Sequence, residues 1–194
     1  MKRIFQLTIL ALLVLGCTSK NTDDVSFSSG TAKVESGEDY FTLSIERLSD
    51  GKTFETTRTG PQESVFASFA NQEDDQGVKF RHVHLSFPVG LKNFKIAFHG
   101  DQPGNYSIGE VRGIYKSHIN ISQMLDGEFA SLEAKEATIN ITRIKSKEGK
   151  VTQATLGVTD GYVDMEGSFE GVFTDGKQDY HVSGTFKTWN NLTD

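Results

Sequence analysis

The chain has 194 residues: 36 % are hydrophobic, 24 % are charged, and it holds 14 Phe, 19 Gly, three Pro and a single Cys. That length suits one domain, or one domain with a tether, and so many aromatic side chains beside so few prolines exclude a disordered chain. One Cys rules out an intramolecular disulfide framework and any multi-thiolate metal site, and a net charge of -6 argues against a nucleic-acid partner.

Lys2 and Arg3 precede an apolar run, Ile4 to Leu15, broken only by Gln6 and Thr8. About 12 residues are too few to span a bilayer, which takes ~20, but they match the h-region of a secretory signal. Val14-Leu15-Gly16-Cys17 follows directly, and Cys17 is the only thiol in the chain. This arrangement resembles the lipobox of bacterial lipoproteins, in which the Cys is diacylated and becomes the new N-terminus. The rival reading is an ordinary signal peptide with a chance cysteine. The resemblance implies a signal peptide at 1–16, a lipidated tether at 17–24 (TSKNTDD after the Cys) and one β domain over 25–190. Loss of residues 1–16 would remove Lys2 and Arg3 and leave 178 residues, with 18 basic against 26 acidic side chains, or -8. Acyl chains then hold the protein on a membrane, each buried methylene contributing about 0.8 kcal/mol. Thr18 stands where many inner-membrane lipoproteins carry Asp, so the resemblance implies the outer membrane, on either its periplasmic or its surface face.

Further along, period-2 alternation dominates and points to half-buried antiparallel strands. Phe41, Leu43 and Ile45 form one face of the first strand, with Thr42, Ser44 and Glu46 on the other. An acidic loop, Asn71 to Gly77, joins a strand over 64–70 to one over 78–87. Phe94, Ile96 and Phe98 repeat the pattern, as do Ala137, Ile139 and Ile141. Glu128 to Glu136 (EFASLEAKE) suits either a short helix or an irregular strand and turn. Phe169, Gly171 and Phe173, then Tyr180, Val182, Gly184 and Phe186, close the series. Asp-Gly pairs at 50–51, 126–127, 160–161 and 175–176 mark tight turns, the last joining arms at 169–174 and 178–186. The expected fold is all-β, a sandwich or barrel-like antiparallel fold of about nine to eleven strands with at most one short helix.

Four segments occur in a suggestive order: Pro103-Gly104-Asn105-Tyr106-Ser107-Ile108-Gly109, then Ala137 to Thr142, then Met165 to Gly171, then Val182-Ser183-Gly184-Thr185-Phe186. Their GxYxIG and SGTF elements resemble a group of small Bacteroidota outer-membrane lipoproteins carrying a β domain of unknown function. The likeness covers residues 103–189. It implies an envelope address and an all-β fold, and it carries no catalytic residue.

Several residues invite chemistry. His82 and His84, two apart on one strand, share a face and could hold Zn or Cu, with His99, His118 or His181 as a third ligand. Val83, Leu85 and Phe87 form the apolar face, so the histidines, with Ser86, fall on the polar one, where a solvated pair is the plainer expectation. Phe80 shares that face and hints at a cover or groove. Glu73-Asp74-Asp75 offers hard oxygens for Ca but lacks the alternation of a Ca loop, so a solvated hairpin tip fits better. Asp164 and Glu166 share a strand face and could in principle work as acid and base; a solvated face is the plainer reading. No G-x-S-x-G elbow, P-loop or GxGxxG is present. Tyr106, Tyr115, Tyr162, Tyr180 and Trp189 could stack on sugars or form a partner patch.

The sequence therefore points to a non-enzymatic, lipid-anchored binding or structural module with no cofactor, a membrane contact through Cys17, and an envelope protein or glycan as partner. A β-barrel carrier of an apolar ligand, lined by Phe, stands second. A metal-binding protein or enzyme using His82 and His84 stands third.

Overall fold

The computed structural model describes residues 39–60, 66–89, 92–153 and 157–188. Cys17, the signal peptide, the tether and Trp189 lie outside the described residues. What is described is all-β, as the alternation requires. The strands are β1 (Asp39–Arg47), β2 (Thr53–Gly60), β3 (Phe66–Glu73), β4 (Lys79–Val89), β5 (Lys92–His99), β6 (Gly104–Ser107), β7 (Val111–Arg112), β8 (Tyr115–Lys116), β9 (His118–Leu125), β10 (Glu128–Gln153), β11 (Gly157–Thr174) and β12 (Asp179–Lys187). Ten of them form one antiparallel sheet in the order β2-β1-β12-β11-β3-β4-β5-β9-β10-β6, and β7 pairs with β8.

Two long strands shape this sheet. β10 pairs with β9 through Glu128–Glu133 and with β6 through Thr138–Ile141, while its other edge runs along β11. β11 in turn pairs with β3 at Gly161 and Tyr162, and with β12 from Glu166 to Thr174. The ring β11-β3-β4-β5-β9-β10 is therefore closed, and β12, β1 and β2 extend from it as a second layer. Three irregularities in the β10–β11 register, at Ala134/Glu136, Ile141/Arg143 and Glu148/Val151, let the pair bend through both layers.

The core lies between the layers. Phe41 on β1 meets Phe87 on β4 at 4.9 Å and Phe94 on β5 at 5.5 Å between ring centroids. Phe94, fully buried, also stacks on Phe169 at 5.1 Å and reaches Phe186 at 6.2 Å. The expected apolar faces hold: Phe41, Leu43, Ile45, Phe94, Ile96, Phe98, Ile139, Ile141, Phe169, Phe173, Tyr180, Val182 and Phe186 are all buried.

The turns hold less evenly. Asp126 and Gly127, at φ 53° and 81°, make the two-residue turn between β9 and β10, as Asp-Gly favours. Arg47 and Lys52 both hydrogen-bond to the Asp126 carboxylate, clasping the β1–β2 turn against it. Asp175 and Gly176 open the β11–β12 turn, with Asp175 Oδ1 accepting from the Lys177 and Gln178 amides. The turn after β3 is shorter than expected, because Asn71, Gln72 and Glu73 continue the strand. Residues 128–136 are strand, with Leu132 buried against the core.

Asp160-Gly161 is not a turn. Both residues lie within β11, and Asp160 Oδ2 accepts the Asn71 amide at 2.7 Å. The glycine serves close approach instead: a Cβ there would meet Lys147 O at 2.2 Å and the Phe69 ring at 2.5 Å. Gly161→Ala should therefore cost about 1–3 kcal/mol through overpacking, read as a lower urea midpoint at unchanged slope.

Candidate functional site

The face of β4 that carries Phe80, His82, His84 and Ser86 was expected in solvent. It is covered. His82 is 2 % exposed, Ser86 and Phe80 are buried, and His84 is partly buried. The cover comes from the excursion between β6 and β9. Hydrogen bonds from Gly109 N to Ser117 O and from Ser117 N to Glu110 O pinch its base, and β7 and β8 form its tip. Tyr115 packs on His82 at 4.9 Å and on Phe80 at 6.1 Å, and the Arg112 guanidinium lies over the Phe80 ring. Phe80 does mark a covered site, as its position suggested.

Strand register gathers the imidazoles beneath that cover. His82 stands directly opposite His99, and His84 stands opposite Ala97, which itself faces His118 on β9. The His82 ring lies 4.2 Å from that of His84 and 4.9 Å from that of His99. Of the three suggested third ligands, His99 joins the pair and is 3 % exposed. His118 stands one strand further on, its Nδ1 3.0 Å from Lys116 O. His181 is elsewhere, on β12, with Nε2 3.1 Å from Glu170. Among the described residues no three His, Cys, Asp or Glu side chains converge on one point as they stand.

Burial keeps these rings neutral. His82 is pushed down to about 3, first by desolvation and then by His84, His99 and His118. His84 is pushed down to about 4, again by desolvation and then by His118 and His99. Burial also lowers His99, although Glu110 beside it pulls the other way. Unfolding releases each ring to an ordinary value near 6.5, so below that pH the unfolded chain binds protons that the folded chain refuses. Stability is thus full above about pH 7 and falls as the pH drops towards 3. At pH 5 in chelator-treated buffer, His82 and His84 should each remove about 2 kcal/mol, and urea melts between pH 7.5 and 5 should show it. His82→Gln, unable to take the proton, should flatten that slope.

The other candidates resolve into structural roles or into partial exposure. Asp74 Oδ1 accepts the Gln76 and Val78 amides and so shapes the β3–β4 turn, while Glu73 and Asp75 are solvated as expected. Asp164 departs from the expected solvated face: it is 1 % exposed, whereas Glu166 is partly buried. Tyr180 is a core residue whose hydroxyl donates to Asp175 Oδ2 and accepts from Gln178 Nε2. Tyr106 leans on Phe98 at 4.7 Å, and Tyr162, 40 % exposed, is the most open of the described tyrosines.

A feature that single-strand reading missed lies on the outer side of the other layer. The register lines up Asn105, Asn140, Ser168, Thr185, Thr42 and Thr57 in one row across β6, β10, β11, β12, β1 and β2. A second row beside it holds Ser107, Thr138, Glu170, Ser183, Ser44 and Glu55. None of the twelve is buried, none is basic and none is apolar. All of the twelve except Asn105 and Ser107 line a shallow groove of about 650 Å³. Thr42 and Thr185 hydroxyls hydrogen-bond across it at 2.7 Å. Only the cross-strand register shows the array, since each strand alone contributes no more than two short polar residues to it.

No family model, no curated protein and no solved structure matches the chain.

Proposed function

We propose that the chain is an envelope lipoprotein, anchored through Cys17, whose β domain binds a neutral glycan on its hydroxyl-lined face and performs no catalysis. The observation that carries this reading is the double row of short hydroxyl and amide side chains across six strands. Such groups both donate and accept, and so match a polyhydroxyl ligand. Two carboxylates and no cation among twelve positions disfavour a polyanion, whether nucleic acid or phosphorylated lipid. None of the twelve is an aromatic or Arg side chain of the kind that anchors protein partners, which favours a glycan over a protein on these rows.

The carrier of an apolar ligand fits less well. The phenylalanines that would line its cavity pack instead against one another, with ring centroids 4.9–6.2 Å apart around Phe94. An outer-membrane address follows from the resemblance of the N-terminal segment to a lipobox and remains part of the proposal.

The test has two arms. Cys17→Ser should move the chain out of the membrane fraction of fractionated cells; unchanged association would refute the anchor. For the ligand, the purified full chain in detergent is run on native gels containing dextran, mannan or laminarin. Retardation by at least one is expected. The triple variant Thr42→Val, Ser168→Ala, Thr185→Val should weaken it about tenfold or more, as the loss of two or three hydrogen bonds of ~1 kcal/mol predicts. No retardation by any of the three, or equal retardation of the variant, overturns the glycan reading.

A further inference from the structure

The histidine cluster stands apart from the glycan face and carries a separate inference. Two of its ring nitrogens are buried without any hydrogen-bond partner: Nδ1 of His82 and Nε2 of His99. Both rings are more than nine-tenths buried, and they face each other across β4 and β5. A buried imidazole nitrogen with no partner is costly, and native sheets rarely keep one without a reason. Here there are two, on residues directly paired across β4 and β5.

The other side of His99 is organised. Its Nδ1 lies 3.4 Å from Ser117 Oγ and 4.0 Å from Glu110 Oε2. A proton on Nδ1 held towards these oxygens leaves the lone pair on Nε2, the orphaned atom. A histidine whose second nitrogen meets a hydroxyl, with a carboxylate close behind it, resembles the arrangement by which proteins orient a metal ligand. Ring spacing agrees. An ion ~2.0–2.1 Å from each nitrogen sets two imidazole centres roughly 5 Å apart, and His82 and His99 stand 4.9 Å apart.

We propose that His82 and His99 form the seat of a divalent borderline cation, Zn²⁺ or Cu²⁺, beneath the β7–β8 hairpin, with Glu110 and Ser117 positioning His99. His84, its ring 4.2 Å from that of His82, supplies the third nitrogen by turning about its side-chain torsions. That turn is required, because as they stand the side chains do not converge on one point. Imidazole nitrogen suits these two ions and is a poor ligand for Ca²⁺ or Mg²⁺. Because the rings are neutral near pH 7, no proton has to leave before an ion enters.

The experiment uses the full chain in detergent, stripped with chelator and titrated calorimetrically with ZnCl₂ or CuCl₂. One ion per chain is expected, with a dissociation constant below about 10 µM. His82→Ala and His99→Ala should each weaken binding at least about tenfold, and Glu110→Gln by a smaller factor. His181→Ala, on the other layer, should bind as the parent does. Removing a buried ring can itself unfold the sheet, so the unaltered chain is also melted with and without each ion. A rise in midpoint is expected, as for any ligand that binds only the folded state. No heat and no rise with either ion overturns the proposal, as does a folded His82→Ala or His99→Ala variant that binds like the parent. With CaCl₂ in place of zinc there should be no response, and an equal response would mark non-specific charge binding and overturn it as well.

Discussion

The pairing of β10 with β11 is the constraint on which the rest of the structure depends. These two strands belong to both layers, so the sheet closes only if they can bend while staying hydrogen-bonded. Two features make that possible: the three register irregularities on β10 and the glycines on β11. At Gly161, Gly167 and Gly171 a Cβ would come within 2.1–2.4 Å of Lys147, Asn140 or Glu136 carbonyl oxygens on β10. No side chain fits at that distance, so glycine is needed where these β10 carbonyls stand. A straight β10–β11 ladder would leave the β12-β1-β2 layer and the β3-β4-β5-β9 layer as two exposed sheets. Bent, it folds them over one another.

What the bend brings together is the phenylalanine cluster. Phe94 is its centre, touching Phe41, Phe87, Phe169 and Phe186 from strands on both layers. Burial of aromatic area and edge-to-face contacts supply most of the attraction between layers that share few hydrogen bonds. Gly184 shows the fit: a Cβ there would strike the Phe169 ring at 2.7 Å. These rings pack the interior around Phe94, and both the hydroxyl rows and the histidine cluster lie on the outer sides of the two layers.

Much of this was legible in the sequence, because alternation reports which residues face a core. Phe41, Leu43 and Ile45, or Tyr180, Val182 and Phe186, could be assigned without any partner strand. Asp126-Gly127 was equally legible, since a two-residue turn needs positive φ at both positions. The same dipeptide misled at 160–161, where glycine answers to a neighbouring carbonyl rather than to a turn; local sequence carries no trace of that neighbour. EFASLEAKE has good helix formers, yet pairing with β9 and burial of Leu132 override their propensity. His82 and His84 show the deeper limit. Alternation separated them correctly from Val83 and Leu85, but it says nothing about whether a second layer covers the polar side. That cover comes from residues 108–117, some thirty positions away.

The two candidate surfaces sit on the outer sides of opposite layers, with the phenylalanine core between them. Packed sheets lie ~10 Å apart, and sites at such a distance with no shared partner respond to substitution almost independently. The hydroxyl rows draw on β6, β10, β11, β12, β1 and β2; the histidine cluster draws on β4, β5 and the excursion that covers them. They differ in kind as well. The rows are open, mostly neutral and already able to donate and accept, so they would take a ligand without rearrangement. The cluster is closed and short of partners, so it would gain most from an ion that replaces the hydrogen bonds its rings lack. On the proposed readings the domain holds a glycan on one side while an ion fixes the fold of the other.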